Sequence, residues 1–389
     1  MSGVPGDATT RRLRIAVLAW RDLRHPEAGG SEVYVHEVTS RWARDGHDVT
    51  LVTARPGALS RDEVLDGVRH VRRGGRLGVY PLGLAWLVRH GAEVDVAVDV
   101  INGLPFGIPL ARPRVSVALV HHVHRRQWQL IYPDLRGRAG WFVESRVVPW
   151  LYRRVPFVAV SGATRDDLGC LGIDPASVHV VRNGLSARPR AGVPTSSTPR
   201  VVVLTRLVPH KQVEHVLEAT RRLRDRHPGL RVDVVGDGWW RGPLEARAAE
   251  LGVEDLVTFH GHVDDDRRDS LLATAWVMVL PSVTEGWGIA VTEAAVQGTP
   301  TVGYRSSGGL TESVLDGRTG WLADDLDGLV ARVDDVLTGR VDLDGVSRQA
   351  RERALTLDWD TTARSFLDVL RAAGAGVARG RDLSGRRRR

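Results

Sequence analysis

Cysteine and lysine are nearly missing from this chain, and each scarcity excludes something. Cys170 is the only cysteine among 389 residues, so no internal disulfide, cysteine-based zinc site or CxxC redox motif can form. A reducing compartment fits that usage. No stretch approaches the roughly 18 uninterrupted apolar residues of a membrane span. The opening MSGVPGDATTRRLR lacks the apolar segment of a secretory signal, so the reading is cytoplasmic. Lys211 is the only lysine; arginine carries the positive charge everywhere else. An ammonium and a guanidinium are not interchangeable at a phosphate, so the position draws attention, although chance also explains one lysine.

What is present points to two domains. The length exceeds that of one typical domain, and 42% apolar residues fill two ordinary cores. Short runs of Val, Leu and Ile alternate with amphipathic stretches, the pattern of parallel sheets covered by helices. Strands are expected near 13–20, 48–53, 95–100, 115–121, 156–161 and 178–182, then near 200–206, 231–236, 256–260, 276–280, 300–304 and 319–322. The segment LSARPRAGVPTSSTP, residues 185–199, reads as a linker. The expected division is an N-terminal extension over 1–12, domains over 13–184 and 200–356, a returning helix over 357–373 and a basic, disordered tail over 374–389. The fold class is α/β, with two doubly wound Rossmann-like domains facing across a cleft.

Four stretches carry chemistry. Strand RVVVLTR ends at Arg206, and a helix is expected to begin at Lys211. Two cations at a strand's carboxyl edge and a helix entrance can converge on a diphosphate; the plainer alternative is two solvated cations near a loop. After strand WVMVLPS come Glu285, Gly286, Trp287, Gly288, Ile289 and, eight residues beyond Glu285, Glu293. The glycines let main-chain amides approach a ligand, and each carboxylate can accept two hydrogen bonds from a vicinal diol. Interaction with the helix dipole accounts poorly for Glu293 and not for Glu285. Gly29 and Gly30 open the helix SEVYVHEVTSRWARDG, with Ser31 as the expected cap. Finally, strand VSVALV runs into His121, His122 and His124. Neighbouring residues on an extended chain face opposite ways and no Cys or HExxH completes a set, so a sugar-facing donor is preferred to a metal ligand.

Taken together, these motifs resemble family-4 glycosyltransferases, retaining enzymes of GT-B fold, over roughly residues 13–373. PSVTEGWGIAVTEAAVQGTPTVGY resembles the E-x7-E signature and TRLVPHKQ the diphosphate-binding Arg and Lys, with His210 where Glu is frequent. VVGDGWW, FHGHV, VSGATRDDL and VVRNG sit where related words are expected, and LDWDTTARSFLDVL resembles the closing helix that braces the first domain. The resemblance implies that Arg206 and Lys211 hold the diphosphate of a nucleoside-diphosphate sugar and stabilise it as it leaves. It implies ribose on Glu293, donor sugar on Glu285, and close backbone approach at Gly29 and Gly30. Gly261, His262 and Val263 would border the base, with Gly286, Trp287, Gly288 and Ile289 completing the donor site. Gly308, Gly309 and Leu310 would lie beside the diphosphate. His121 aligns best with the family's sugar-facing histidine, and the HHxH run leaves the choice of ring open. The donor is a co-substrate; no cofactor and no metal are implied. The acidic run Asp264–Asp266 superficially offers a metal site, but it precedes a helix and reads better as an N-cap.

Residues 125–157 interleave Trp128, Trp141, Phe142, Trp150 and Tyr152 with arginines. With His122 and His124, Trp128 forms the acceptor-side candidate set. Such a surface suits a phosphorylated or lipid-linked acceptor at an anionic membrane face, an aromatic shelf for a sugar, or plain packing with snorkelling arginines. The acceptor is unknown. Two rival readings stand. Another GT-B enzyme, an epimerase or phosphorylase, would release nucleotide without an acceptor or would not need nucleotide. A nucleic-acid-binding protein is suggested only by the net charge of +7 and pI near 10.3; no RNP, KH or helix-turn-helix pattern supports it, so no nucleic-acid partner is expected.

Overall fold

The structure, a computed structural model, describes residues 11–190 and 192–386, with side chains as far as residue 376. The expected extension is therefore described only at Arg11 and Arg12, and residues 387–389 of the expected tail lie outside the described residues. All twelve expected strands occur. The first sheet contains β1 (Arg14–Leu18), β2 (Asp48–Thr53), β3 (Asp62–Leu65), β4 (Val68–Arg72), β5 (Val96–Ile101), β6 (Ser116–Val120), β7 (Phe157–Ala159) and β8 (Val178–Val180), in the order β3-β4-β2-β1-β5-β6-β7-β8. The second contains β9 (Arg200–Leu204), β10 (Arg231–Val235), β11 (Val257–Gly261), β12 (Val277–Leu280), β13 (Thr301–Tyr304) and β14 (Gly320–Ala323), in the order β11-β10-β9-β12-β13-β14. Every pairing in the second sheet is parallel.

Strands β3 and β4 were not expected. They form an antiparallel hairpin, Asp62 opposite Val71 and Leu65 opposite Val68. Asp66 and Gly67 between them both have positive φ, 49° and 79°, as a two-residue turn matched to strand twist requires. The pair Asp-Gly is the local signal that a reading by βα period passes over.

Both faces of the second sheet are buried, and strand alternation sorts its side chains. Val201, Val203, Val277 and Val279 enter one core with Val216, Leu217 and Leu244. Val202, Met278 and Leu280 enter the other with Leu271, Val291 and Leu310. A strand apolar at every position is what a sheet covered on both sides demands. Each such side chain contributes about 1.5–3 kcal/mol over an exposed one.

By its contacts the chain forms two compact units. One runs to Leu119 and takes in Leu151–Val158 and the chain from Ala363; the other comprises Val120–Trp150 and Ala159–Thr362. In the first unit, Trp42 Nε1 donates to the Ala363 carbonyl at 2.9 Å and packs edge-on against Phe366, 5.1 Å between centroids. Those contacts seat the last helix, Trp359–Arg386, against the helix Gly30–Arg44. Its backbone is helical from Gly374 to Arg386, where disorder is expected from composition; alanine and arginine are good helix formers. In the second unit, residues 185–190 and 192–199 carry neither helix nor strand, and Leu185 and Ala187 pack on Ala295, Val296 and Ala350. No described helix is long and apolar enough to cross a membrane.

Candidate active site

In an open parallel sheet, ligands bind beyond the carboxyl ends of strands where the winding reverses. The second sheet reverses between β9 and β12, because β10 continues outward on one side and β13 on the other. Arg206 and Lys211 follow β9, and Glu285 follows β12. The two halves of the expected site thus emerge from adjacent strands.

Lys211 is not where the helix begins. Pro209–Lys211 form a short 3-10 turn, Gln212 takes a left-handed conformation (φ 49°), and the helix starts at Val213. The turn directs the Lys211 ammonium to Glu285, Nζ to Oε1 2.5 Å, with both side chains mostly enclosed. A main-chain bond from Val283 N to the His210 carbonyl, 2.9 Å, ties the same segments. His210 is buried, and among the described residues its Nδ1 has no hydrogen-bond partner. Burial, with the charges of Lys211, Arg206 and His124, pushes its pKa down to about 2, so it adds no charge near neutral pH. Its carbonyl and bulk are what it offers the site.

Three backbone segments interlock around Glu285. Its N–H donates to the Ser307 carbonyl and its own carbonyl accepts from Gly309 N, both 2.9 Å. A Cβ on Gly286 would stand 2.2 Å from the His121 carbonyl oxygen, and one on Gly309 would stand 2.0 Å from that of Gly286. Neither position admits a side chain. Close packing of main chain on main chain therefore places the loop of Gly308, Gly309 and Leu310 and the His121 turn beside the carboxylate. Thr164 Oγ1 also donates to the His121 carbonyl, at 2.9 Å.

The other expected residues fall into place less uniformly. Glu293 lies on the helix Ile289–Val296, capped by Gly288 in a left-handed conformation. Burial raises its pKa, and Arg268, 3.3 Å away, opposes the rise. Trp287 is buried, lining a small internal cavity with Val291, Ala295 and Ala350. Its indole is enclosed. His262 is exposed after β11, and Val263 packs beside the second core. Asp264 caps the helix Asp265–Thr274 through Arg267 N at 2.7 Å, as its position before a helix implied.

The rings of His122 and His124 lie with centroids 4.2 Å apart, tilted by 39°. His122 Nε2 meets Gln127 Oε1 at 3.0 Å, and burial holds its pKa well below the ordinary range. Both the main-chain N and Nδ1 of His124, and the indole N–H of Trp128, converge on Glu144 at 2.8–3.2 Å. Glu144 is buried and was not singled out from the sequence. It is one of only two acids in residues 125–157, and that rarity was its signal.

Gly29 and Gly30 belong to the first unit, after β1, at that sheet's own reversal between β1 and β5. The cap differs from the expectation. Gly29 is the N-cap, and the carboxylate of Glu32 accepts from its N–H at 2.7 Å. Ser31 instead donates to Glu32, at 2.9 Å. A buried Arg21, 3.1 Å from Glu32, explains the preference, because it holds that carboxylate at the helix entrance.

Comparison with known proteins agrees with this architecture. Residues 28–188 match the family model for Glycosyltransferase Family 4, and residues 189–353 the model for glycosyl transferases group 1. The chain is 31% identical to D-inositol 3-phosphate glycosyltransferase of Geodermatophilus obscurus, covering 96% of this chain and 92% of that one. It is 29% identical to glycogen synthase of Mycobacterium tuberculosis, covering 94% and 96%. Among solved structures, Anabaena Alr3699/HepE in complex with UDP-glucose superposes with a TM-score of 0.74 at 19% identity, covering 93% of this chain and 100% of that one. With carboxylates spaced as the signature requires, cations at the sheet's reversal and relatives matched along nearly their whole length, this chain belongs to the family-4 glycosyltransferases and is an enzyme that transfers sugars.

Proposed function

We propose that the enzyme moves a hexose-type sugar from a nucleoside-diphosphate sugar to an acceptor hydroxyl, with retention of configuration and without a metal ion. The observation that carries this reading is the Lys211–Glu285 pair at the reversal of the second sheet, with Arg206 following the same strand as Lys211. The two cations hold the diphosphate, Glu285 the hydroxyls of the sugar and Glu293 those of the ribose. His262 and Val263 border the base. The UDP-glucose held by the Anabaena structure supports the donor class.

In this reading the bond from the anomeric carbon to the leaving diphosphate oxygen breaks as a bond to the acceptor oxygen forms on the same face. The acceptor's proton passes to the departing diphosphate. Fixed positive charge at Arg206 and Lys211 stabilises the negative charge that develops there, the role a metal ion plays elsewhere. His121, its carbonyl anchored by Thr164, faces the sugar. The exposed Leu135, Phe142 and Trp150 among arginines support an acceptor presented at an anionic membrane surface on the cytoplasmic side.

The test is a panel of UDP-, GDP-, ADP- and TDP-sugars scored by thermal shift, followed by product analysis of the anomeric configuration with EDTA present. Stabilisation by one donor class and an unchanged anomer are expected. Inversion, a strict metal requirement, or indifference to every donor would overturn the reading.

A further inference from the structure

One guanidinium joins the first turn of the helix Asp265–Thr274 to Glu293. Arg268 places Nη1 3.3 Å from Glu293 Oε1 and 2.8 Å from Asp265, while Nη2 reaches Asp269 at 2.9 Å. The arrangement is set locally. Asp264 caps the helix, and Arg268 N donates to the Asp264 carbonyl at 2.9 Å, so the side chain leaves the helix one turn in. Arg268, Asp269 and Glu293 are largely enclosed, with 18%, 15% and 20% of their side chains exposed, whereas Asp265 is 88% exposed.

The charges around Glu293 are unbalanced. Arg268, Asp265 and Asp269 are the charged groups that face it. Burial and both aspartates favour the protonated acid, and only Arg268 favours the carboxylate. A carboxylate can accept from both hydroxyls of a vicinal diol; a protonated carboxyl loses part of that capacity. Among the described residues, Arg268 is the one cation that acts on Glu293. An ammonium would reach these oxygens as a point charge rather than a fork.

We propose that Arg268 is a positioning residue, which holds Glu293 as an aimed carboxylate acceptor for the ribose hydroxyls of the donor. The inference rests on the ribose role given to Glu293 above. It makes ribose recognition a property of two helices. Asp269 sets the strength of the device by competing for the same guanidinium.

The experiment measures binding of the preferred nucleoside diphosphate and its 2′-deoxy counterpart to the full chain by calorimetry, from pH 5 to pH 9. In the wild type the preference for ribose rises with pH as Glu293 ionises. Glu293→Gln reduces that preference at least fivefold and removes its pH dependence. Arg268→Gln moves the midpoint of the pH dependence upward, so that preference at a given pH falls. Arg268→Lys restores part of it at pH 7, and adding Arg268→Gln to Glu293→Gln costs no further preference. Asp269→Asn moves the midpoint downward and carries the test should Arg268→Gln fail to fold. If Glu293→Gln leaves the ribose preference intact, the ribose assignment itself is wrong, and this inference goes with it. If Glu293→Gln abolishes the preference while Arg268→Gln and Asp269→Asn keep the wild-type midpoint, the role of Arg268 alone is overturned.

Discussion

The ammonium of Lys211 lies 2.5 Å from the carboxylate of Glu285, across 74 residues of sequence, with 13% and 12% of the two side chains exposed. The chain's only lysine and the first glutamate of its signature thus form one enclosed pair. An enclosed pair is costly to break from one side, because the survivor is a charge with no counterpart. Lys211→Met should therefore lower stability by about 3 kcal/mol, near the low end for buried pairs since each side chain keeps some exposure. Adding Glu285→Gln should return much of that loss while leaving turnover abolished. Urea denaturation of the three variants measures the coupling, and additive effects would show that the pair contributes nothing.

Arg206→Ala should remove one or two charge-assisted hydrogen bonds to the diphosphate, about 1.5–3 kcal/mol each. That corresponds to roughly tenfold to a few hundredfold in kcat/KM per bond. Arg206→Lys should recover only part, because the bidentate fork is lost. Turnover of the alanine variant within twofold of the parent would rule out the assigned diphosphate site.

Gly286→Ala drives a methyl group to 2.2 Å from the His121 carbonyl oxygen. The loop must shift, and Glu285 shifts with it. A displacement near 1 Å at a reacting centre costs about a hundredfold in rate, so kcat should fall by that order. Gly242→Ala, whose Cβ would meet nothing within 4 Å, is the control and should be neutral or slightly stabilising in its helix. Equal activities for the two variants would contradict the interlocked loops.

In the first unit, Asp99 is fully buried. Burial raises its pKa to about 6, against the hydrogen bonds it accepts from Tyr152 and Phe106 N. Its folded-state pKa lies above its unfolded value of 3.8. The stabilising contribution is therefore complete below that unfolded value and is lost as pH rises through about 6. The difference amounts to about 3 kcal/mol. Relative to the wild type, Asp99→Asn should gain about that much stability between pH 4 and pH 8. Denaturation at the two values checks it; a constant difference would mean that Asp99 does not titrate in this window.

Much of this site is legible along the chain, for a definite reason. Strand placement and the positions of Glu285, Glu293, Arg206 and Lys211 follow from short continuous apolar runs and from short motifs within one strand–turn–helix unit. The Asp66–Gly67 hairpin has a local signal too, in the Asp-Gly pair at its turn. The partners were not legible. Lys211 could be assigned to phosphate from its neighbours, but its bond to Glu285 exists only because β9 and β12 lie side by side. Arg268 and Glu293 meet because consecutive helices pack together, and Glu144 gathers His124 and Trp128 from an earlier turn. Local sequence determined which groups stand at the carboxyl edge, since backbone preference and side-chain alternation act over a few residues. Tertiary structure alone decided which charges neutralise one another, because that depends on distances no local pattern encodes.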